Sequence, residues 1–295
     1  MLELRGLYTA ITTPFLNNAV DEQGLRRNVR FQLQAGVDGI VPLGTTGETP
    51  TLSRAEQAQV LRIAVEEARG KATVIAGAGS NSTAQTIDNA RAAKEAGADG
   101  VLIVTPYYNK PTPEGIFLHF KAVVEAVDIP VVIYNIAGRT GTNIDTALME
   151  RLSELPHIVG VKEASGSIAQ MGEVLLRVQR RRPDFTVLSG DDAMTLPLLA
   201  LGGRGVISVA SNLIPAQMRA LTAAGLSGDF AAARELHFRL LPLFQALFIE
   251  TNPIPIKTAM ELCGMPAGGC RLPLCAMSPR HRETLADVLR RLELL

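Results

Sequence analysis

The sharpest chemical signal in the chain is Lys162. It closes an apolar, β-branched run, Ile158-Val159-Gly160-Val161, and precedes Glu163. A lysine amine is a nucleophile only after losing its proton, and apolar surroundings disfavour the ammonium and lower its pKa. That combination suits imine formation with a carbonyl substrate. The remaining lysines, Lys71, Lys94, Lys110, Lys121 and Lys257, fall on helical patterns, in a proline-flanked loop or in the C-terminal segment. A strand-end lysine also commonly reaches solvent or pairs with a neighbouring carboxylate, here Glu163, and position alone leaves both fates open.

Other apolar runs end on groups that could serve the same chemistry. Gly44-Thr45-Thr46-Gly47-Glu48 is a tight polar turn whose backbone N–H groups and hydroxyls could hold a small carboxylate. It lacks the Gly-Lys-Ser/Thr of a nucleotide phosphate loop, and an ordinary strand-to-helix turn has the same composition. Tyr134 could donate a proton or stand as a core tyrosine. Arg139 offers a planar fork for a carboxylate or a solvated loop cation. Asp191-Asp192 reads as helix capping rather than a metal site, because no histidine or further carboxylate is near in sequence. His119, His157, His237 and His281 are dispersed and show no ligand spacing, so no metal is expected. Gly202-Gly203-Arg204-Gly205 precedes a strand and reads as a turn.

These residues need elements that bring them to one place. Strand patterns lie at Leu7–Thr12, Gly39–Leu43, Thr73–Gly77, Val101–Val104, Val131–Tyr134, Ile158–Lys162, Thr186–Ser189 and Gly205–Ser208. Most are continuously apolar, as parallel strands covered on both faces should be. Helical patterns separate them. Ser53-x-x-Glu56 is a capping box, Thr112-Pro113-Glu114 is a helix start, and Gly36, Gly70 and Gly97 sit where C-terminal caps belong. Eight strand–helix units predict an α/β fold, a closed (β/α)8 TIM barrel, with chemistry at the C-terminal strand ends. A doubly wound open sheet is the alternative, and the absence of G-x-G-x-x-G after the first strand counts against it. The barrel is expected over residues 1–225. A C-terminal helical domain is expected over 226–295, with helices around Asp229–Phe248, Ile256–Cys263 and Pro279–Leu294.

Composition narrows the function class. The 295 residues are 47% hydrophobic, with Lys+Arg and Asp+Glu equal at 29. A net charge of zero argues against a nucleic-acid partner, which would need a basic face. The longest apolar stretch, Leu240 to Ile249, is too short to span a bilayer. Three cysteines without a CxxC spacing, and an N-terminus lacking a signal-peptide apolar run, predict a cytoplasmic protein.

Together the strand-end motifs resemble the class I aldolase family of dihydrodipicolinate synthase and N-acetylneuraminate lyase. The resemblance rests on Gly44-Thr45-Thr46-Gly47-Glu48, Tyr134-Asn135 with Arg139-Thr140-Gly141, and Val161-Lys162-Glu163-Ala164. Val206-Ile207-Ser208-Val209, Asn252-Pro253-Ile254-Pro255-Ile256-Lys257 and Arg271-Leu272-Pro273 extend it over essentially the whole chain. It implies a lyase that condenses pyruvate with L-aspartate 4-semialdehyde through a Schiff base on Lys162, the first committed step of diaminopimelate and lysine biosynthesis. It implies Tyr134 as proton donor, and Thr45 and Tyr108 as a proton relay, Tyr108 reaching in from a neighbouring subunit. Thr46 and Ile207 would contact pyruvate, and Arg139 would receive the semialdehyde carboxylate. No cofactor is expected, because the iminium itself is the electron sink. A homotetramer built as a dimer of dimers is implied. Ala137 departs from the proline many members carry there. The alternatives are a sugar-acid or N-acetylneuraminate lyase and, from another class, a non-catalytic barrel that binds a keto acid.

The resemblance also implies a regulatory cleft. Asn81 and Tyr107 match the pattern by which many members bind lysine, making them possible allosteric residues. Pro50, Arg54, Gln57 and Gln85 depart from it, which predicts weak or absent inhibition by lysine.

Overall fold

The structure is a computed structural model and describes residues 2–295. Strands β1 (Gly6–Ala10), β2 (Gly39–Val41), β3 (Thr73–Gly77), β4 (Gly100–Val104), β5 (Val131–Asn135), β6 (Ile158–Glu163), β7 (Thr186–Ser189) and β8 (Gly205–Ser208) pair in parallel in chain order, and β8 closes on β1. The result is the (β/α)8 barrel expected from the apolar runs, with boundaries within two residues of those read from sequence. Helices α1 (Glu22–Gln34), α2 (Arg54–Ala68), α3 (Thr83–Glu95) and α4 (Pro113–Ala126) cover the first half. A short turn of helix, α5 (Ala137–Thr140), follows β5. Helices α6 (Thr146–Ser153), α7 (Ile168–Gln179), α8 (Thr195–Ala200) and α9 (Pro215–Leu226) cover the second half.

Local chemistry sets these boundaries. The Ser53 hydroxyl accepts from the Glu56 amide while the Glu56 carboxylate accepts from the Ser53 amide, so the capping box of α2 is complete. Thr112 caps α4 with Pro113 in its first turn. Gly36, Gly70 and Gly97 take positive φ after their helices, a conformation open to glycine without steric cost.

Two apolar layers result. Tyr8, Val41, Ile75, Leu102, Val132, Tyr134, Leu188 and Ile207 fill the barrel interior. The outward-facing residues of the same strands form a larger core with the helices. It also takes in Leu240, Phe244, Ile256 and Leu289 from α10 (Phe230–Ala246), α11 (Ile254–Leu262) and α12 (Pro279–Arg291). Among the described residues no helix is long and apolar enough to cross a membrane.

Strand β6 contains the irregularity that matters most for the site. Val131 pairs with Ile158 but Val132 pairs with Gly160, so Val159 is an extra residue in the ladder. Ile158 faces the helices and Val159 faces the interior. After the bulge Val161 again faces the helices, and Lys162 pairs with the inward-facing Tyr134. A regular alternation from Val159 would point Lys162 the other way, because one residue of slip exchanges the two faces. Gly160 fits this crowded bend because a Cβ there would collide with the Thr186 carbonyl.

Candidate active site

Lys162 is the next-to-last residue of β6, with 5% of its surface exposed. Its amine lies 4.3 Å from the centre of the Tyr134 ring and makes no hydrogen bond to any described residue. Burial pulls its pKa down to about 8, Arg139 adds to the depression, and the carboxyl of Asp192 opposes it. At pH 7 an amine titrating near 8 is neutral in about one molecule in ten, against about one in three thousand at the ordinary value of 10.5.

Tyr134 is the next-to-last residue of β5, one strand away. Burial pushes its phenol up to about 12, while the Arg139 charge and a hydrogen bond with Thr45 pull in the other direction. At neutral pH the phenol therefore carries its proton, more tightly than a free tyrosine does, and the Arg139 charge and the Thr45 bond are the groups that ease its release. The next residue, Asn135, faces away from the interior. Its amide bonds both carboxylate oxygens of Glu163 and the Ile144 carbonyl, which ties the ends of β5 and β6 together behind the site.

The loop after β2 brings Thr45 and Thr46 to the mouth. The amides of Gly47 and Glu48 donate to the carbonyls of Gly44 and Thr45. These two amides are therefore engaged in closing the turn, which narrows the anion-holding role read from the sequence. The Thr46 hydroxyl accepts from the Asn252 side chain at 3.0 Å. Arg139 sits on α5, exposed, and donates to the Asn252 carbonyl at 3.1 Å. The helical turn that presents it is closed by bonds from Arg139 and Thr140 to the Ile136 carbonyl and from Gly141 to that of Ala137. The missing proline therefore does not open this turn. Ile207 is the next-to-last residue of β8, fully buried in the interior layer.

Thr45, Tyr134, Arg139 and Asn252 line one cavity of about 480 Å³. The cavity continues past Tyr107 to Arg54, Gln57, Gln85 and Asn89, so the mouth and the cleft around Tyr107 are continuous. Asn81 adjoins this region through its carbonyl, which accepts from Asn109 of the Tyr107 loop. Tyr108 is not gathered into the site of its own chain. It takes a φ of 71° and is 89% exposed, pointing away from the protomer.

Three site features were not assigned from the sequence. Lys257 on α11 forms a fully buried ion pair with Glu48 at 2.6 Å. Asn252 joins Thr46 to Arg139. Asp191 caps a short 3-10 turn as expected, with its carboxylate accepting from Ala193, but Asp192 does not. Its carboxylate accepts from the amides of Val209 and Ala210 beyond β8, and burial raises it to about 6. The one signal in sequence was a lysine set in the otherwise apolar Ile254-Pro255-Ile256-Lys257.

Comparison with known proteins gives the family. The model of the dihydrodipicolinate synthetase family matches residues 3–292. A 4-hydroxy-tetrahydrodipicolinate synthase of Protochlamydia amoebophila is 53% identical over 98% of this chain and 97% of its own length. The one from Methanocaldococcus jannaschii is 47% identical over 99% of both. The crystal structure of dihydrodipicolinate synthase from Thermotoga maritima superposes with a TM-score of 0.98 at 45% identity, covering 100% of both chains. With its barrel closed, its strand-end lysine turned inward and its whole length matched, the chain belongs to the dihydrodipicolinate synthetase family.

Proposed function

We propose that the chain is a lyase that condenses pyruvate with L-aspartate 4-semialdehyde, the first committed step of diaminopimelate and lysine biosynthesis. The neutral amine of Lys162 attacks the pyruvate carbonyl, and loss of water leaves an iminium. The iminium draws electrons from the adjacent methyl group, which loses a proton to give an enamine. The enamine carbon forms a bond to the semialdehyde carbonyl carbon. The amine of the semialdehyde then attacks the former pyruvate carbon and displaces Lys162, closing the ring.

Tyr134 supplies and recovers protons at the mouth, with Thr45 and the Tyr108 of a neighbouring subunit as its relay. Thr46 and Ile207 contact pyruvate, and Arg139 receives the semialdehyde carboxylate. The exposed Tyr108 supports at least a dimer, and we place the protein as a cytoplasmic homotetramer, a dimer of dimers. Asn81 and Tyr107 belong to a regulatory cleft beside the same mouth.

The observation that carries this reading is a buried lysine with no acceptor, set against the phenol of Tyr134. Borohydride added with pyruvate should attach a pyruvyl mass to Lys162 and to no residue of Lys162→Ala. Turnover with pyruvate and the semialdehyde should exceed turnover with pyruvate and N-acetylmannosamine. An unmodified wild-type chain removes the Schiff base, and a faster rate with the sugar transfers the reading to a sugar-acid lyase.

A further inference from the structure

We infer that Glu48 and Lys257 form a positioning pair that fixes Thr45 and Thr46 at the barrel mouth from outside the barrel itself; the inference rests on the function proposed above. The Lys257 ammonium donates to Glu48 Oε1 at 2.6 Å and to the Thr13 carbonyl at 3.0 Å, and lies 4.2 Å from the centre of the Phe15 ring. The second carboxylate oxygen of Glu48 accepts from the Arg271 amide at 3.0 Å. Both side chains are sealed, at 1% and 0% exposure.

The backbone of Glu48 is what makes this contact matter. Its φ of 54° lies in the left-handed region, which non-glycine residues keep when their surroundings hold them there. From that position its amide donates to the Thr45 carbonyl and closes the turn that presents both threonines. The Thr13 hydroxyl holds the Gly47 carbonyl of the same turn at 2.8 Å. The segment that carries Lys257 makes two further bonds at the mouth. Asn252 donates its side-chain amide to Thr46 and offers its carbonyl to Arg139. One stretch of chain outside the barrel therefore holds the turn with Thr45, the hydroxyl of Thr46 and the guanidinium of Arg139.

Stability alone does not account for a pair of this kind. Removing two charges from water costs more than their attraction readily returns, and apolar residues of similar volume often hold a core as well or better. An ion pair that also takes a backbone carbonyl and a backbone amide supplies what an apolar contact does not, a link of fixed length and direction. Small displacements of groups that position substrate can lower rates up to about 100-fold.

The test compares Glu48→Gln, Lys257→Met and the double variant, each as the assembled protein. Each single variant leaves a polar or charged group without its partner and should lower Tm. The double variant removes both buried charges but leaves the Thr13 carbonyl without its donor, and should recover most, not all, of the Tm that either single variant loses. Its kcat should nonetheless stay down by about tenfold or more, with pyruvyl trapping on Lys162 still complete. Hydrogen exchange over residues 43–52 should quicken while β6 is unchanged. Return of kcat to within about twofold of wild type together with Tm would make the pair structural only and overturn the inference. Should the double variant not fold, Glu48→Asp keeps the charge and shortens the reach. Lowered kcat with intact trapping supports the pair, and wild-type kcat overturns it. If wild-type protein shows no trapping, the Schiff-base reading fails on its own, and the exchange over 43–52 still tests the link.

Discussion

The end of β6 and the start of α11 each bury a lysine near the barrel mouth, and the two are surrounded in opposite ways. Lys257 meets a carboxylate, a carbonyl and the face of Phe15. Lys162 meets the face of Tyr134 and no hydrogen-bond acceptor among the described residues. Burial depresses the pKa of both. Around Lys257, Glu48 opposes the depression with its charge and with a hydrogen bond. Around Lys162, the opposing carboxyl belongs to Asp192, which is already bonded to two backbone amides. Burial therefore does not by itself make a nucleophile. A buried lysine with an acceptor is an anchor, and one without an acceptor is an amine ready to react.

The largest effect is expected from Lys162→Met, which removes the amine and leaves a side chain of similar length. Turnover should fall by at least about 10⁴-fold, while the fold gains stability. The sign follows from linkage. The folded-state pKa of Lys162, about 8, lies below its ordinary 10.5. Between these values the unfolded chain binds more protons, so wild-type stability rises with pH across that window. Below pH 8 the full penalty applies, about 3 kcal/mol for a shift from 10.5 to about 8. Urea unfolding at pH 7 should show Lys162→Met more stable than wild type, with the gain shrinking as pH approaches 10.5. The wild-type trapping rate should climb about tenfold per pH unit below 8 and level off above it. Equal stability of the two proteins at pH 7 would mean that the amine carries no burial penalty and that the contrast between the lysines is misread.

That contrast also explains what could be read from sequence. Parallel strands sheathed by helices are apolar along their length, so all eight stood out, and a polar residue ending such a run marks a barrel mouth. Lys162, Tyr134 and the Gly44–Gly47 turn were legible for this reason. The bulge at Val159 was not, because an extra residue in an apolar run changes the direction of the side chains after it without changing the composition. The partners of Glu48 and Thr46 were not legible either. Lys257 lies 209 residues from Glu48, and Asn252 lies 206 residues from Thr46. No local periodicity reports contacts over such distances. Tyr108 was named through the family resemblance, and its exposure in the protomer is the counterpart of a role assigned to a neighbouring site.

That role gives the second-largest expected effect. Tyr108→Phe should lower kcat by about 10²-fold, the lower range for loss of a proton-transfer group. Mixing Tyr108→Phe chains with Lys162→Ala chains, followed by subunit exchange, sharpens the assignment. If Tyr108 serves its neighbour, each mixed pair contains one complete site and activity reappears. If it serves its own chain, no complete site forms and the mixture stays as inactive as its parts.

The smallest effect concerns the cleft that continues from the mouth, where no lysine of the chain is buried and the question is whether a free one binds. An ammonium ligand needs acceptors. Here the side chains of Arg54 and Gln85 both donate to the side-chain oxygen Oδ1 of Asn89, at 2.7 and 2.8 Å. That oxygen is occupied, and the Arg54 guanidinium lines the same cavity as Gln85 and Asn89, adding a like charge to it. Gln85 in place of a carboxylate also removes a charge-assisted bond, typically about 1.5–3 kcal/mol. A loss of about 2 kcal/mol weakens binding roughly thirtyfold, since about 1.4 kcal/mol is tenfold. A lysine titration of the initial rate should therefore show half-inhibition at millimolar concentration or above, or none. Gln85→Glu should move the midpoint down by about tenfold or more, as a carboxylate facing the ammonium would. Half-inhibition of the wild type at sub-millimolar lysine would show that Asn81 and Tyr107 suffice, and that the donors around Asn89 turn away when a ligand arrives.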